Sequence, residues 1–341
     1  MPSSISNSSL RAPDAPYMRI WFASLLMVII VLAIVEILWR EHGFQPSVRD
    51  SYDLWANKRH HVYDKNHGKP LVIIGQSRIH MGFSHKTFNK FYPDIPVVNL
   101  ATRTCPQEVL YDLARDTDFH GTLLVSFVAQ CLARKGLRQI KRLKHYHKKW
   151  NYNSGINAAI AAAIQSRLVV VSSRVQLKKT LLNLLFEGTL PKVSVATVAS
   201  DRSTLMDYSK INLVSQRAYR LSIAQRIFDE TPVYDTIEWL RHVKLLQSAI
   251  LSIQLRGGKV VLVRYPSAEE YWEMDESSYP RKKYWDLLSQ HTTANAVIHF
   301  QDVPGMDEFK LPDTSHLSNT DVPAFTELLV NEMTRQGVLF K

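Results

Sequence analysis

Cysteine is scarce in this chain, which has only Cys105 and Cys131 among 341 residues. That count excludes a cysteine-rich zinc site and a framework of several disulfides. The adjacent histidines His60 and His61 have no partner at metal-ligand spacing, so we expect no metal site and no other cofactor. The sequence also lacks internal repeats and any nucleic-acid-binding module with interleaved aromatic side chains. We therefore expect no nucleic-acid partner.

The chain has fewer acidic than basic residues. Lysine and arginine number 42 against 31 acidic residues, which gives a net charge of +11 and a pI of about 9.5. A basic surface favours anionic partners. Since no nucleic-acid module is evident, a membrane surface or an anionic polymer is the preferred partner, and a charge excess without any partner is equally consistent. The 45% hydrophobic and 21% charged residues are typical of a globular domain.

One long apolar run lies near the N-terminus, from Ile20 to Trp39, with Glu36 as its single charge. About 20 apolar residues suffice to cross a bilayer. Trp21 and Trp39 stand at the ends of the run, where aromatic side chains anchor a span at the interface. A cleaved signal peptide has a shorter core and a small-residue exit motif, which is not found here. The predicted segments are a disordered tail (1–17), a transmembrane anchor (18–40) and a connector (41–68).

From residue 69 onward, short β-branched runs alternate with helical patterns. This alternation predicts an α/β domain over 69–341, a flavodoxin-like three-layer sandwich with a parallel five-stranded sheet. A block at about 134–198 begins with basic residues and continues with alanine-rich and amphipathic stretches, which predicts a helical insertion. Its basic start could lie on anionic headgroups or bind an acidic polymer, and a solvated helix face is the alternative. The acidic and aromatic stretch 265–279 is expected to be a loop. The predicted strands are 71–74, 97–100, 122–127, 259–264 and 296–300.

The first predicted strand runs directly into Gly75-Gln76-Ser77. In an open α/β sheet, ligands bind at the carboxyl ends of the strands. Ser77 is therefore a candidate nucleophile, although a serine at this place can equally serve as a helix N-cap.

Asp313 and His316 lie three residues apart in a loop before the last predicted helix. An imidazole can act as a base there while a carboxylate orients it. Alternatively, Asp313 caps the last helix and His316 is merely exposed.

Together, the Ser77 block and the Asp-x-x-His block resemble the SGNH (GDSL-like) hydrolase superfamily, which carries its serine after strand one and Asp-x-x-His near the end. The resemblance covers about 71–130 and 259–335. It implies that Ser77 is the nucleophile, that His316 is the base and that Asp313 orients the ring. A generic flavodoxin-like domain, in which Ser77 and His316 lie far apart, is the competing interpretation.

The resemblance also implies an oxyanion hole. In the family it comprises the N–H at the serine, a glycine N–H after strand two and an asparagine side chain after strand three. Here Thr104 stands at the glycine position and Gln130 at the asparagine position. Arg78 and Arg103 belong to the same sheet end and are further candidates for stabilising negative charge.

Membrane-anchored bacterial members with this layout are similar to alginate O-acetyltransferase-type proteins and to the D-alanyl transfer protein of teichoic acid synthesis. The resemblance therefore implies an esterase or acyltransferase acting on acyl esters of an envelope polysaccharide or glycan, with its domain on the periplasmic side of the inner membrane. The implied partners are the bilayer, an acylated glycan and a membrane-bound acyl donor protein. A non-catalytic accessory protein that binds a glycan or scaffolds a synthesis complex is the alternative.

The two cysteines each follow a predicted strand. If those strands are neighbours, an exported domain can join Cys105 and Cys131 in one disulfide. Two separate buried thiols are the alternative.

Overall fold

A computed structural model of the chain describes residues 17–63, 68–102, 105–133, 138–172, 175, 177–190 and 193–339. The site predictions for Arg103 and Thr104, and all but the last residue of the predicted tail, lie outside these residues. The strands are β1 (Leu71–Ile74), β2 (Val97–Asn99), β3 (Thr122–Ser126), β4 (Ala196–Val198), β5 (Thr204–Met206), β6 (Lys259–Arg264) and β7 (Ala296–His299). The helices are α1 (Tyr17–Glu41), α2 (Tyr52–His60), α3 (Ser77–Gly82), α4 (His85–Phe91), α5 (Gln107–Arg115), α6 (Gln130–Ala133), α7 (Arg138–Lys148), α8 (Tyr152–Gln165), α9 (Leu177–Glu187), α10 (Leu213–Glu230), α11 (Thr236–Gln254), α12 (Glu269–Ser278), α13 (Trp285–Gln290) and α14 (Val322–Arg335).

The first helix, α1, is long and apolar enough to cross a membrane, and the apolar part of it is not buried in the protein. A signal sequence near an N-terminus passes the same test of length and composition. The predicted apolar helix is therefore confirmed.

Five parallel strands form the central sheet in the order β2-β1-β3-β6-β7. Alternate residues of a strand point to opposite faces. In β1, Val72 and Ile74 pack into a core shared with α5 and α11, whereas Leu71 and Ile73 pack into a core shared with α4 and α14. Helices thus cover both faces of the sheet, and the predicted α/β architecture with five parallel strands is confirmed.

A second, two-stranded sheet pairs β4 with β5 in antiparallel register, which the sequence analysis did not predict. Its turn is held by Asp201, whose carboxylate accepts a hydrogen bond from the Ser203 N–H at 2.8 Å. At three residues each, these strands are too short to show a clear alternation of hydrophobic and polar residues.

The prediction of a loop over residues 265–279 is wrong, because this stretch contains the helix α12. Glu269 and Glu270 lie in its first turn, where acidic side chains interact favourably with the helix dipole. Tyr271 packs edge-on against Phe228 of α10, with ring centres 5.8 Å apart. Tertiary packing of one aromatic side chain thus stabilises a helix that composition alone did not indicate.

Cys105 and Cys131 form a disulfide, with their Cα atoms 5.2 Å apart. The strands that precede them, β2 and β3, are not neighbours, because β1 lies between them. The bond therefore joins the loop after β2 to α6, the helix that follows β3.

Candidate active site

The turn after β1 carries Ser77 as the first residue of α3. Gly75 has a φ of +153°, and a Cβ added there would come within 2.5 Å of Ile79 Cγ2 and 2.7 Å of Ser126 Cβ. Only glycine fits this close approach between the turn and β3. The tight turn leaves the Ser77 side chain half-buried at the carboxyl edge of the sheet.

The loop that contains Asp313 and His316 is organised around the aspartate. One oxygen of Asp313 accepts hydrogen bonds from the backbone N–H groups of Ser315, at 3.1 Å, and His316, at 2.9 Å. Thr314, between Asp313 and Ser315, is fully buried at a φ of +68°. A non-glycine residue in this conformation costs about 1–3 kcal/mol, and such residues cluster at functional sites. Asp313 caps its own loop and not the last helix, whose N-cap is Asp321.

The two sequence-distant loops converge. The Nε2 atom of His316 lies 2.8 Å from Ser77 Oγ, and its Nδ1 atom lies 2.8 Å from the second oxygen of Asp313. Because carboxylates only accept hydrogen bonds, Nδ1 carries the proton, which leaves Nε2 free to accept from the serine hydroxyl. The three side chains predicted as a triad are therefore connected in the order nucleophile, base and orienting acid.

Burial and neighbouring charges set the protonation states of this triad. Burial lowers the pKa of His316 below its ordinary value, and the cations Arg220 and Arg78 lower it further, while Asp313 opposes both effects. Burial alone would raise the pKa of Asp313, but the charge and hydrogen bond of His316, together with Arg220, hold it well below the usual range. At neutral pH the imidazole is thus neutral and the carboxylate ionised, as a general base requires.

Arg220 of α10 contributes to the site although no motif in the sequence indicated it. Its Nε atom donates a hydrogen bond of 2.8 Å to the hydroxyl of Ser315, and that oxygen lies 3.1 Å from His316 Nδ1. Tyr208 was also missed. Burial raises the pKa of Tyr208, and the neighbouring Asp313 carboxylate raises it further, so the phenol stays protonated beside the triad. Both residues lie in a segment whose sequence shows only apolar helical spacing, and no motif marks them.

Arg78, next to Ser77 in the chain, is buried with its guanidinium carbon 4.6 Å from the centre of the Tyr271 ring. None of its three guanidinium nitrogens has a hydrogen-bond partner in the part of the chain that the structure describes. The cation–π contact stabilises such a cation by about 1–2 kcal/mol but leaves its donors unused. Arg78 therefore supplies positive potential and spare donors beside Ser77.

Gln130, the predicted side-chain oxyanion donor, is the first residue of α6 and is buried. Its carbonyl oxygen has no hydrogen-bond partner among the described residues, and no hydrogen bond there joins its side chain to Ser77 or His316. The amide of Gln76 instead points at the disulfide, with Nε2 3.2 Å from both sulfur atoms. The structure thus brings together the triad and Arg78, and places Gln130 at the same sheet edge without a direct contact.

The loop after β2 lies against the serine turn, because the Thr102 N–H donates a 2.9 Å hydrogen bond to the Gly75 carbonyl. Arg103 and Thr104 follow at once in the chain but lie outside the described residues. Within the described residues, no group of three or more histidine, cysteine or acidic side chains is arranged to hold a metal ion.

No protein-family model matches this chain, and a search among curated proteins finds no significant match. The function is therefore inferred from the geometry at the carboxyl edge of the sheet.

Proposed function

We propose that this protein is a membrane-tethered serine esterase or O-acyltransferase of the SGNH type, acting on acyl esters of an envelope polysaccharide or glycan. The observation that carries the proposal is the connected set Ser77, His316 and Asp313, joined by two contacts of 2.8 Å between residues 239 and 3 positions apart in the chain. The strand order, with β1 between β2 and β3, also agrees with the flavodoxin-like arrangement expected of this superfamily.

The chemistry follows from these positions. Ser77 Oγ attacks the acyl carbonyl carbon, and its proton passes to His316 Nε2 as the carbonyl opens to an oxyanion. When the oxyanion collapses, the ester C–O bond breaks and His316 returns the proton to the leaving alcohol. The acyl-serine is then attacked by water or by a sugar hydroxyl, which His316 deprotonates in turn. Collapse of this second oxyanion breaks the bond between the acyl carbon and Ser77 Oγ, and His316 returns the proton to the serine. Hydrolysis and transfer thus share one acyl-enzyme and differ only in the acceptor.

The oxyanion needs donors. By the family pattern these are the Ser77 N–H, the Thr104 N–H and the Gln130 amide, and the unpaired guanidinium of Arg78 supplies positive potential nearby. Loss of one oxyanion donor typically slows a reaction by about two to three orders of magnitude. The family's asparagine is absent here, and Gln130 stands in its place. This observation favours the second candidate function, a non-catalytic accessory protein that binds an acylated glycan or scaffolds a synthesis complex.

The Cys105–Cys131 disulfide supports an exported domain, because disulfides persist in oxidising compartments such as the periplasm. With α1 as a single span, we infer a bacterial inner-membrane protein whose domain faces the periplasm. A membrane-bound acyl donor protein and an acylated glycan are the partners that this location favours.

Fluorophosphonate labelling followed by intact mass measurement separates the two candidate functions. We expect one adduct on the full-length protein, lost in Ser77→Ala and in His316→Ala and retained in Ser248→Ala, a matched change on the exposed surface of α11. If Ser77→Ala were labelled as strongly as the wild type, the assignment of Ser77 as the nucleophile would be refuted. A folded wild type that takes no label would leave the accessory function as the better proposal.

A further inference from the structure

The last turns of α1 are joined to the loop between α8 and α9 by polar contacts. Both oxygens of Glu36 accept backbone hydrogen bonds, from the N–H of Val169 at 2.9 Å and of Val170 at 2.8 Å. Arg40 donates to the carbonyl of Arg167 at 2.7 Å and pairs with Glu36. The apolar helix is therefore tied to the folded domain at its end.

These contacts fix the depth of the loop relative to the span. Trp39 marks the end of the apolar run, and Glu36 precedes it by three residues. At a rise of about 1.5 Å per residue, Glu36 lies roughly 4–5 Å closer to the bilayer centre than Trp39. Val169 and Val170 reach Glu36, so this loop extends to the boundary between headgroups and acyl chains.

The helix before this loop exposes an apolar stripe, which we call the α8 stripe: Ile156, Ile160 and Ile164. These side chains are 56%, 54% and 46% exposed, and because they recur every four residues they share one face. The opposite face is buried at Gly155 and Ala162. In the loop that follows, Leu168 and Val171 are also exposed and lie on either side of the valines that reach Glu36.

Composition separates the α8 stripe from an ordinary solvated face. The sequence of α8, YNSGINAAIAAAIQ, contains no charged residue. A surface helix in water normally carries charged and polar side chains on its outer face, and contiguous exposed apolar patches mark contact with a partner or a membrane. The end of α9 is similar, since Leu185 and Phe186 are 78% and 80% exposed.

We propose that the α8 stripe and the loop after it lie in the interfacial layer of the bilayer, beside the end of α1. The occupant of this surface is lipid and not a protein partner, because the stripe is continuous with a loop already held at the lipid boundary by α1. At 14 residues α8 is too short to span the bilayer, and because its opposite face is buried at Gly155 and Ala162, it meets lipid through the stripe alone. The protein thus has a second membrane contact that fixes the domain's orientation. This inference rests on the membrane span proposed above for α1 and not on the proposed enzymatic activity.

Depth-dependent quenching tests the proposal on the full-length protein in phosphatidylcholine nanodiscs. Single cysteines replace Ile160, Leu168 or, as a control, Leu255, an exposed apolar residue at the end of α11 that is 86% exposed. The native cysteines are joined in a disulfide and do not take the bimane label.

We expect labels at 160 and 168 to lose about half or more of their fluorescence to lipids with a nitroxide near the headgroup, since interfacial helices lie roughly 5–10 Å deep. The label at 255 should respond to aqueous iodide and not to these lipids. If the label at 160 behaves like the label at 255, the α8 stripe is in water and the proposal is wrong. A response at 168 alone would equally exclude the stripe, because the loop is already tied to α1.

Discussion

Asp313→Asn is the most informative single substitution, because it changes one contact of the triad and preserves the rest. The asparagine carbonyl can still accept the backbone N–H groups of Ser315 and His316, which now lie 3.1 and 2.9 Å from Asp313. Its amide NH₂ then faces His316 Nδ1, where the carboxylate oxygen lies at 2.8 Å. Two donors cannot share that contact, so the imidazole must move its proton to Nε2, the atom that has to accept from Ser77.

The expected cost follows from the wrong tautomer. The same replacement in a serine protease triad lowers kcat by about 10⁴, which corresponds to about 5 kcal/mol of transition-state stabilisation. We expect a loss of this size in the steady-state hydrolysis of p-nitrophenyl acetate, with a melting temperature close to wild type. Asp229→Asn is the matched control, since Asp229 is an exposed residue of α10 that bonds only Gln225 in the described structure. A folded Asp313→Asn protein that keeps more than about a tenth of the wild-type kcat would refute the triad reasoning.

Three further predictions follow from the same region. Burial and Arg220 lower the pKa of His316, so the wild-type rate should fall with acid only below the ordinary histidine pKa, and Arg220→Met should move this acid limb of the pH–rate profile to higher pH. Arg217→Met, which removes a surface cation of the same helix, should leave the acid limb in place. An acid limb that does not move in Arg220→Met would contradict the electrostatic account. Gly75→Ala should lower the free energy of unfolding by about 3 kcal/mol or more, because the new methyl group meets two side chains and the backbone has a positive φ. Urea denaturation measures this loss, and an unchanged midpoint would show that the turn adapts to the methyl group. Reduction of the disulfide opens a loop closed by a separation of 26 residues and should lower stability by about 3 kcal/mol, seen as a lower melting temperature in dithiothreitol.

Much of the fold could be predicted because its signals are local. The five strands of the central sheet are runs of apolar residues bounded by turns, and strands separated by helices must be parallel. α12 was missed because the contacts that its aromatic side chains make are distant in sequence, such as that of Tyr271 with Phe228, 43 positions apart. The small antiparallel sheet was missed because three-residue strands carry too little periodicity to be recognised.

Some residues of the candidate site could be predicted from the sequence and others could not. Ser77, Asp313 and His316 were found because each belongs to a short motif whose chemistry shows in the residue types. Arg220 and Tyr208 were not found, because nothing in a single sequence distinguishes an arginine or tyrosine that will face a buried carboxylate from one that faces water.

By itself, the sequence determined the apolar span, the parallel sheet and the residues able to form a triad, since hydrophobic periodicity and functional-group chemistry are properties of short segments. The tertiary structure decided which distant segments meet: the serine with the histidine, the two cysteines across the loop after β1, and Glu36 with the loop after α8. Such contacts depend on strand order and on how the helices pack, and neither is encoded in any one stretch of the chain.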